Sequence, residues 1–209
     1  MSQITQRMHS GLKLLLSVMC LWTFGSLGCE SATQLDTEEG LSSGDVESES
    51  STIADLYWVD LITGTDWRIA EADEDPYLSM REERAPCTLT DFGEEYGGLE
   101  VSTTYCDYIT LVQPLSEEIR PGDHLEIVVW HSPLVSETPA EGEMSVSLLE
   151  RSLWSQRLDI PSSAQSWHLT FKSELSASRG SLLTFHVRNH GANAYTLLSV
   201  RRGRALSSP

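Results

Sequence analysis

From Leu56 onward, apolar and polar residues alternate with a period of two. Leu125, Ile127 and Val129 fall on one side of their run, with Glu126 opposite. Trp167, Leu169 and Phe171 alternate with His168, Thr170 and Lys172, and Leu183, Phe185 and Val187 with Thr184, His186 and Arg188. Successive side chains of an extended strand point to opposite faces, so each run has one face for a core and one for water. Clusters of Pro, Gly, Asn and Ser interrupt these runs every eight to twelve residues, the rhythm of a sandwich or barrel. No window carries an apolar stripe of helical spacing longer than two turns. The fold class expected is therefore all-β.

Ten strands are predicted, near 56–63, 67–71, 98–103, 106–114, 123–131, 142–149, 152–160, 166–173, 181–189 and 194–201. About 150 residues suffice for one core, so 56–203 should form a single antiparallel β-sandwich, with 204–209 a disordered tail. Pro121-Gly122-Asp123 reads as a turn leading into a strand, because Pro presets φ and Gly permits the reversal. Glu150-Arg151 should turn a hairpin between 145–149 and 152–158. Residues 72–97, broken by Pro76, Pro86, Gly93, Gly97 and Gly98, are expected to be irregular.

The first 55 residues have another texture. Arg7 and Lys13 are the only charged residues before position 29, and both precede the apolar run from Leu14 to Phe24. A basic region, a short apolar core and small residues make a secretory signal, and the run is well short of the ~20 residues of a membrane span. It ends at Gly25-Ser26-Leu27-Gly28-Cys29, which resembles the signal of bacterial lipoproteins, with Ser26 where that family usually has Leu, Val or Ile. The resemblance implies a signal peptide over 1–28, cleavage before Cys29, and acyl chains on its sulfur. Several chains hold a protein on a membrane where one anchors only marginally. Glu30 follows the cysteine, which points to the outer membrane of a bacterial envelope. Residues 29–55 then hold the acylated cysteine and a linker. From Glu30 to Asp55 there are eight acidic residues and no basic ones, and such a stretch cannot offset its ordering entropy by burial. A disordered, self-repelling acidic linker is expected.

Charge and cysteines narrow the partners. The formal charge is −17, and loss of Arg7 and Lys13 with the signal makes it two units more negative. Nucleic acid is excluded as a partner on this ground, since binding it depends on Lys and Arg neutralising phosphates. Cys20 leaves with the signal and Cys29 is acylated, so Cys87 and Cys106 remain and should form a disulfide in an oxidising compartment. Closing that loop contributes about 3 kcal/mol in the chain-entropy model.

The Arg120-Pro121-Gly122-Asp123 turn, the strand end at Trp130-His131 and the connection Asn189-His190-Gly191-Ala192-Asn193 together resemble jelly-roll modules of the galactose-binding-like class, the fold of many carbohydrate-binding modules. The resemblance covers about 100–200. It implies a non-catalytic binding module for a glycan. The residues offer candidates: Trp130 shares a face with Glu126, Trp154 shares one with Gln156, and His186 and Arg188 lie on the wet side of one strand. Flat rings beside planar hydrogen-bonding groups suit a sugar, which has apolar faces and a polar rim. An envelope protein partner, docked on edge strands, is the alternative. No nucleophile elbow, zinc-protease helix or phosphate loop is present, so no enzyme is expected; a hydrolase with a carboxylate pair is the remaining reading. Glu71, Asp73 and Asp75 alternate, which makes Asp73 and Asp75 candidate ligands for a structural calcium. No other cofactor is expected.

Overall fold

The computed structural model describes residues 56–80 and 85–205. Cys29, the signal segment and the acidic linker lie outside them. Eleven strands occur among the described residues: β1 (Leu56–Asp60), β2 (Arg68–Ile69), β3 (Phe92–Glu95), β4 (Gly98–Ser102), β5 (Tyr108–Pro114), β6 (His124–His131), β7 (Ala140–Leu148), β8 (Arg151–Ile160), β9 (Gln165–Lys172), β10 (Leu182–Arg188) and β11 (Ala194–Ala205). The first sheet runs β3-β4-β11-β6-β9, with β1 on the far half of β11, and the second runs β2-β5-β10-β7-β8. All pairings between strands are antiparallel. From β5 to β7, and again from β8 to β11, the chain crosses repeatedly between the sheets, which makes a jelly-roll sandwich.

The core lies where the alternation placed it. Leu125, Ile127 and Val129 of β6 and Leu183, Phe185 and Val187 of β10 have no exposed surface. Each such side chain contributes roughly 1.5–3 kcal/mol on removal from water. Trp167, Leu169 and Phe171 also face inward but are only half-buried, because β9 is an edge strand that pairs with β6 alone. At this side of the sandwich Trp167 meets Trp154 of β8, with ring centroids 5.4 Å apart.

Three local features refine the expected map. The hairpin between β7 and β8 turns at Leu149-Glu150, whose φ values are 51° and 63°, one residue earlier than predicted. Within 72–97 lies a strand that the sequence left as loop: β3 pairs β4 through a turn at Tyr96-Gly97, with φ of 54° and 80°. The final strand continues to Ala205, so residues 204 and 205 pair with β1 rather than belonging to a tail.

The turn at 120–123 and the connection at 189–193 have clear physical causes. Gly122 has φ of 91°, and Asp123 accepts from the Arg120 N–H at 2.8 Å and from Arg204 Nε at 2.7 Å. Gly191 also has positive φ, and a Cβ there would come within 2.2 Å of the Val135 carbonyl oxygen. Asn193 ties the same loop down, accepting from the Val135 N–H at 2.6 Å and donating to Asn189 Oδ1 at 2.9 Å. Cys87 and Cys106 are bonded, with Cα atoms 4.9 Å apart. They close the base of the β3–β4 hairpin against the start of β5.

Candidate functional site

The outward face of the first sheet carries a strip of aromatic and charged side chains whose order follows from strand register. Glu100 of β4 pairs with Thr196 of β11, which pairs with Trp130 of β6, which pairs with Ser166 of β9. The next rows are Ser199, Val128 and His168, then Asp60, Arg201, Glu126 and Thr170, then Trp58, Gly203, His124 and Lys172. Trp130 and Trp58 thus mark opposite ends of the strip. Six residues of β6 separate their rows, about 20 Å at the rise of a strand.

Glu126 sits at the centre. It is only 6% exposed, yet it keeps its charge through its partners. His168 Nε2 lies 2.7 Å from one carboxylate oxygen, and Arg201 Nε donates to the other at 2.6 Å. Burial alone would raise its pKa; the hydrogen bonds from His168 and Arg201 outweigh burial and hold it below the usual carboxylate range. Both partners keep contact with water, the side chains of His168 and Arg201 being 64% and 39% exposed. At one end Trp58 lies across Gly203, where an added Cβ would approach the indole to 3.1 Å. The Arg201 guanidinium carbon is 5.6 Å from the centre of that ring, within cation–π range. Between Trp58 and Trp130, neither β1 nor β4 borders β11 at Leu198–Ser199. A cavity of about 270 Å³ opens there, lined by Asp60, Thr63, Gly64, Gly98 and Ser199.

At the β3–β4 edge, two strands from Trp130, the strip ends in an acidic groove of about 190 Å³ between Thr90 and Ser102. Its lining includes Glu95 and Glu100, on the same side of the β3–β4 hairpin. Desolvation first, then the neighbouring Glu95 carboxyl, push the Glu100 pKa up to about 7.

The outward face of the second sheet carries the other predicted residues and is covered. His186 has no exposed surface. The segment from Ala70 to Met80 lies over it: the Tyr77 ring stacks on His186 at 4.0 Å and 13°, and the Tyr77 hydroxyl accepts from Ser145 at 2.9 Å. Asp75 accepts from the Tyr108 hydroxyl at 2.7 Å and from Thr110 Oγ1 at 2.8 Å. Thr110 has spent its proton on Asp75, so the 3.0 Å contact to His186 Nδ1 requires the imidazole to donate. Burial then pushes the His186 pKa down to about 4, and the ring is neutral.

The predicted residues therefore divide. Glu126 and Trp130 share the open strip. His186 and Arg188 lie on the opposite sheet, with Arg188 beside Glu143 at 3.6 Å. Trp154 has the parity of Gln156, but that parity faces the gap between the sheets, where it meets Trp167. These three residues do not join Glu126 and Trp130 in one surface. Asp73 is exposed, whereas Asp75 is 9% exposed and committed to Tyr108 and Thr110. Among the described residues no group of three or more His, Cys, Asp or Glu is placed to hold a metal ion. Trp58, Arg201, Glu100 and His168 were not singled out beforehand. The run Leu56-Tyr57-Trp58-Val59 is apolar on both sides, so a period of two assigns Trp58 to neither face.

No protein-family pattern matches the chain, and no curated protein does. Among solved structures it is similar to a CBM4 module at 11% identity, over 66% of this chain and 86% of that one, with a TM-score of 0.40. It is similar to the xylan-binding module CBM15 at 12% identity, over 73% and 99%, with a TM-score of 0.40. It is similar also to TmCBM27, a carbohydrate-binding module with specific mannan recognition, at 10% identity over 72% and 98%, TM-score 0.39. At these scores the likeness is one of general chain path and names no ligand for this chain.

Proposed function

We propose that the protein is a non-catalytic glycan-binding module, tethered to a bacterial envelope membrane through acyl chains on Cys29. The observation that carries this reading is the open strip of the first sheet: two half-buried indoles about 20 Å apart along the strands, with the Glu126–His168–Arg201 cluster between them. Indoles offer flat apolar contact to sugar faces, and the planar ionised groups offer hydrogen bonds to hydroxyls. The strip's length suits an oligosaccharide rather than one ring.

A glycan array probed with the Cys29→Ser chain tests the reading. Binding to an oligosaccharide is expected, and Trp130→Ala should weaken it at least about tenfold, ~1.4 kcal/mol, with the far-ultraviolet circular dichroism unchanged. Binding that survives loss of both Trp130 and Trp58 would remove the strip from the argument. Anchoring is tested separately: Cys29→Ser should release the protein from the membrane fraction, and an unacylated Cys29 in the mature protein would overturn it. A second reading, docking of an envelope protein, is favoured by the long edges of β8 and β9, each paired on one side only.

A further inference from the structure

The cavity beside the strip exists because two strands share one edge. β1 and β4 both pair with β11 on the side away from β6, β4 as far as Leu197 and β1 from Arg201 onward. The notch left between them is the cavity of about 270 Å³, and two of its lining residues, Asp60 and Ser199, have the outward parity of the strip. It therefore opens on the same face as the two indoles, but to one side. The row of Ser199 is two residues from that of Trp130 along β6, about 7 Å, and the notch lies about 10 Å across the sheet from β6.

The walls of the notch are held by the protein itself. The Leu61 N–H donates to the Val200 carbonyl at 2.8 Å, and Ser116 donates to the Asp60 and Leu61 carbonyls at 2.7 and 3.0 Å. Buried Gln113 grips Thr63 at three points. Its Oε1 accepts from the Thr63 N–H at 2.7 Å, and its Nε2 donates to the Thr63 carbonyl and hydroxyl oxygens, each at 3.1 Å. Two glycines keep the space open. A Cβ on Gly64 would come within 2.7 Å of Glu94 Cγ and 3.2 Å of the Gly98 carbonyl oxygen, and one on Gly98 within 2.7 Å of the Leu197 carbonyl oxygen.

The polar groups of the notch are uncommitted. Arg201 is the neighbour of Asp60 in the register, but its guanidinium is given to Glu126. Among the described residues the Asp60 carboxylate has no hydrogen-bond or ion-pair partner. Thr63 Oγ1 accepts from Gln113 and from the Asp66 N–H at 3.3 Å, so its own proton is left to donate. None of the residues lining the notch is basic. A rigid cleft with a carboxylate, two hydroxyls and no cation suits a neutral ring rich in hydroxyls and repels an acidic one. Clefts for drug-sized ligands run to ~300–1,000 Å³, so this one takes a single ring.

We propose that the notch is a branch pocket: it takes a single neutral sugar attached as a side branch to a glycan whose backbone lies along Trp58 and Trp130. The branch hydrogen-bonds Asp60, Thr63 and Ser199. The inference rests on the glycan-binding reading and adds the substrate class which that site selects, a branched chain over a linear one. A linear chain that follows the strands passes the notch by. Because the walls are already fixed, a branch entering it orders little of the protein, and its contacts appear as affinity.

Calorimetry of the Cys29→Ser chain with paired probes tests this. The probes are linear β-linked mannose and glucose oligomers, and the same oligomers carrying a single galactose or xylose branch respectively. At least one branched oligomer should bind about tenfold tighter than its linear parent, ~1.4 kcal/mol. Asp60→Ala removes the acceptor and Ser199→Phe fills the notch. Each should bring the branched oligomer down to the affinity of its parent, with the far-ultraviolet circular dichroism unchanged. Equal or weaker binding of both branched oligomers, or a preference that survives either variant, overturns the pocket and leaves the strip standing. Binding to none of the probes also overturns the pocket, and the glycan reading falls with it if the array is blank as well.

Discussion

His168 on the first sheet and His186 on the second sit at equivalent places in their strands, each between two inward-facing apolar residues. The side chain of His168 is 64% exposed, with Nε2 2.7 Å from a Glu126 oxygen; His186 is wholly enclosed, stacked under Tyr77. The difference is made by the segment from Ala70 to Met80, which lies on one outward face and not on the other. It converts Tyr108, Thr110, Ser145 and His186 from surface residues into a second, polar core. The first sheet, left open, keeps its indoles and charges available. A polar face in a strand is thus a surface only if no other part of the chain lies on it.

The largest expected effect comes from removing the group that holds the cover down. Asp75→Ala leaves the Tyr108 hydroxyl and Thr110 Oγ1 without their charged acceptor, and should cost about 4 kcal/mol in urea unfolding, since hydrogen bonds to charged groups are worth ~1.5–3 kcal/mol each. A loss under about 1 kcal/mol would mean the cover is held by something else. Next comes the Cys87–Cys106 bridge, whose partners are 19 residues apart in sequence. Replacing both cysteines with Ser should cost about 3 kcal/mol and leave the cover over His186 protected in hydrogen exchange.

The histidine itself gives a pH test with a definite sign. Its folded-state pKa, about 4, lies below the ordinary value of 6.5, so the unfolded chain takes the proton first. The stability it contributes is whole above pH 6.5 and drains away as pH falls toward 4, about 3 kcal/mol in all. His186→Phe keeps a ring against Tyr77 and should flatten this part of the profile; an unchanged slope would put the titration elsewhere. The smallest effect belongs to the open face. His168→Ala should cost about 1 kcal/mol, one hydrogen bond from an exposed side chain, because Arg201 still holds Glu126. A larger loss would show that the first sheet also depends on its outward polar groups.

Much of the fold was legible because apolar and polar residues alternate with a period of two in β6, β9 and β10. β6 and β10 announced their core faces, and a pair of leftover cysteines announced the bridge. Three things were not legible. Phe92-Gly93-Glu94-Glu95 has one apolar residue and no alternation, and it becomes β3 only because β4 lies beside it. The inward parity of β9 predicted a fully buried row, but an edge strand closes over its core on one side only, so Trp167, Leu169 and Phe171 stay half-exposed. The cover could not be seen at all: Asp73, Asp75 and Tyr77 look like a solvated acidic loop until Asp75 is found accepting from Tyr108 and Thr110. That single placement separates His186 and Arg188 from Glu126 and Trp130, and no local pattern encodes it.

The pairing of Leu56 with Ala205 means that the chain enters and leaves the sandwich at one end. Tension drawn through the chain ahead of Leu56 loads β1 first, and β11 is the one strand that pairs with β1 among the described residues. Peeling that strand carries Trp58 away from Gly203 while Trp130, on the interior strand β6, stays in place. The two ends of the strip are then mechanically unequal: pulling displaces one indole before the other.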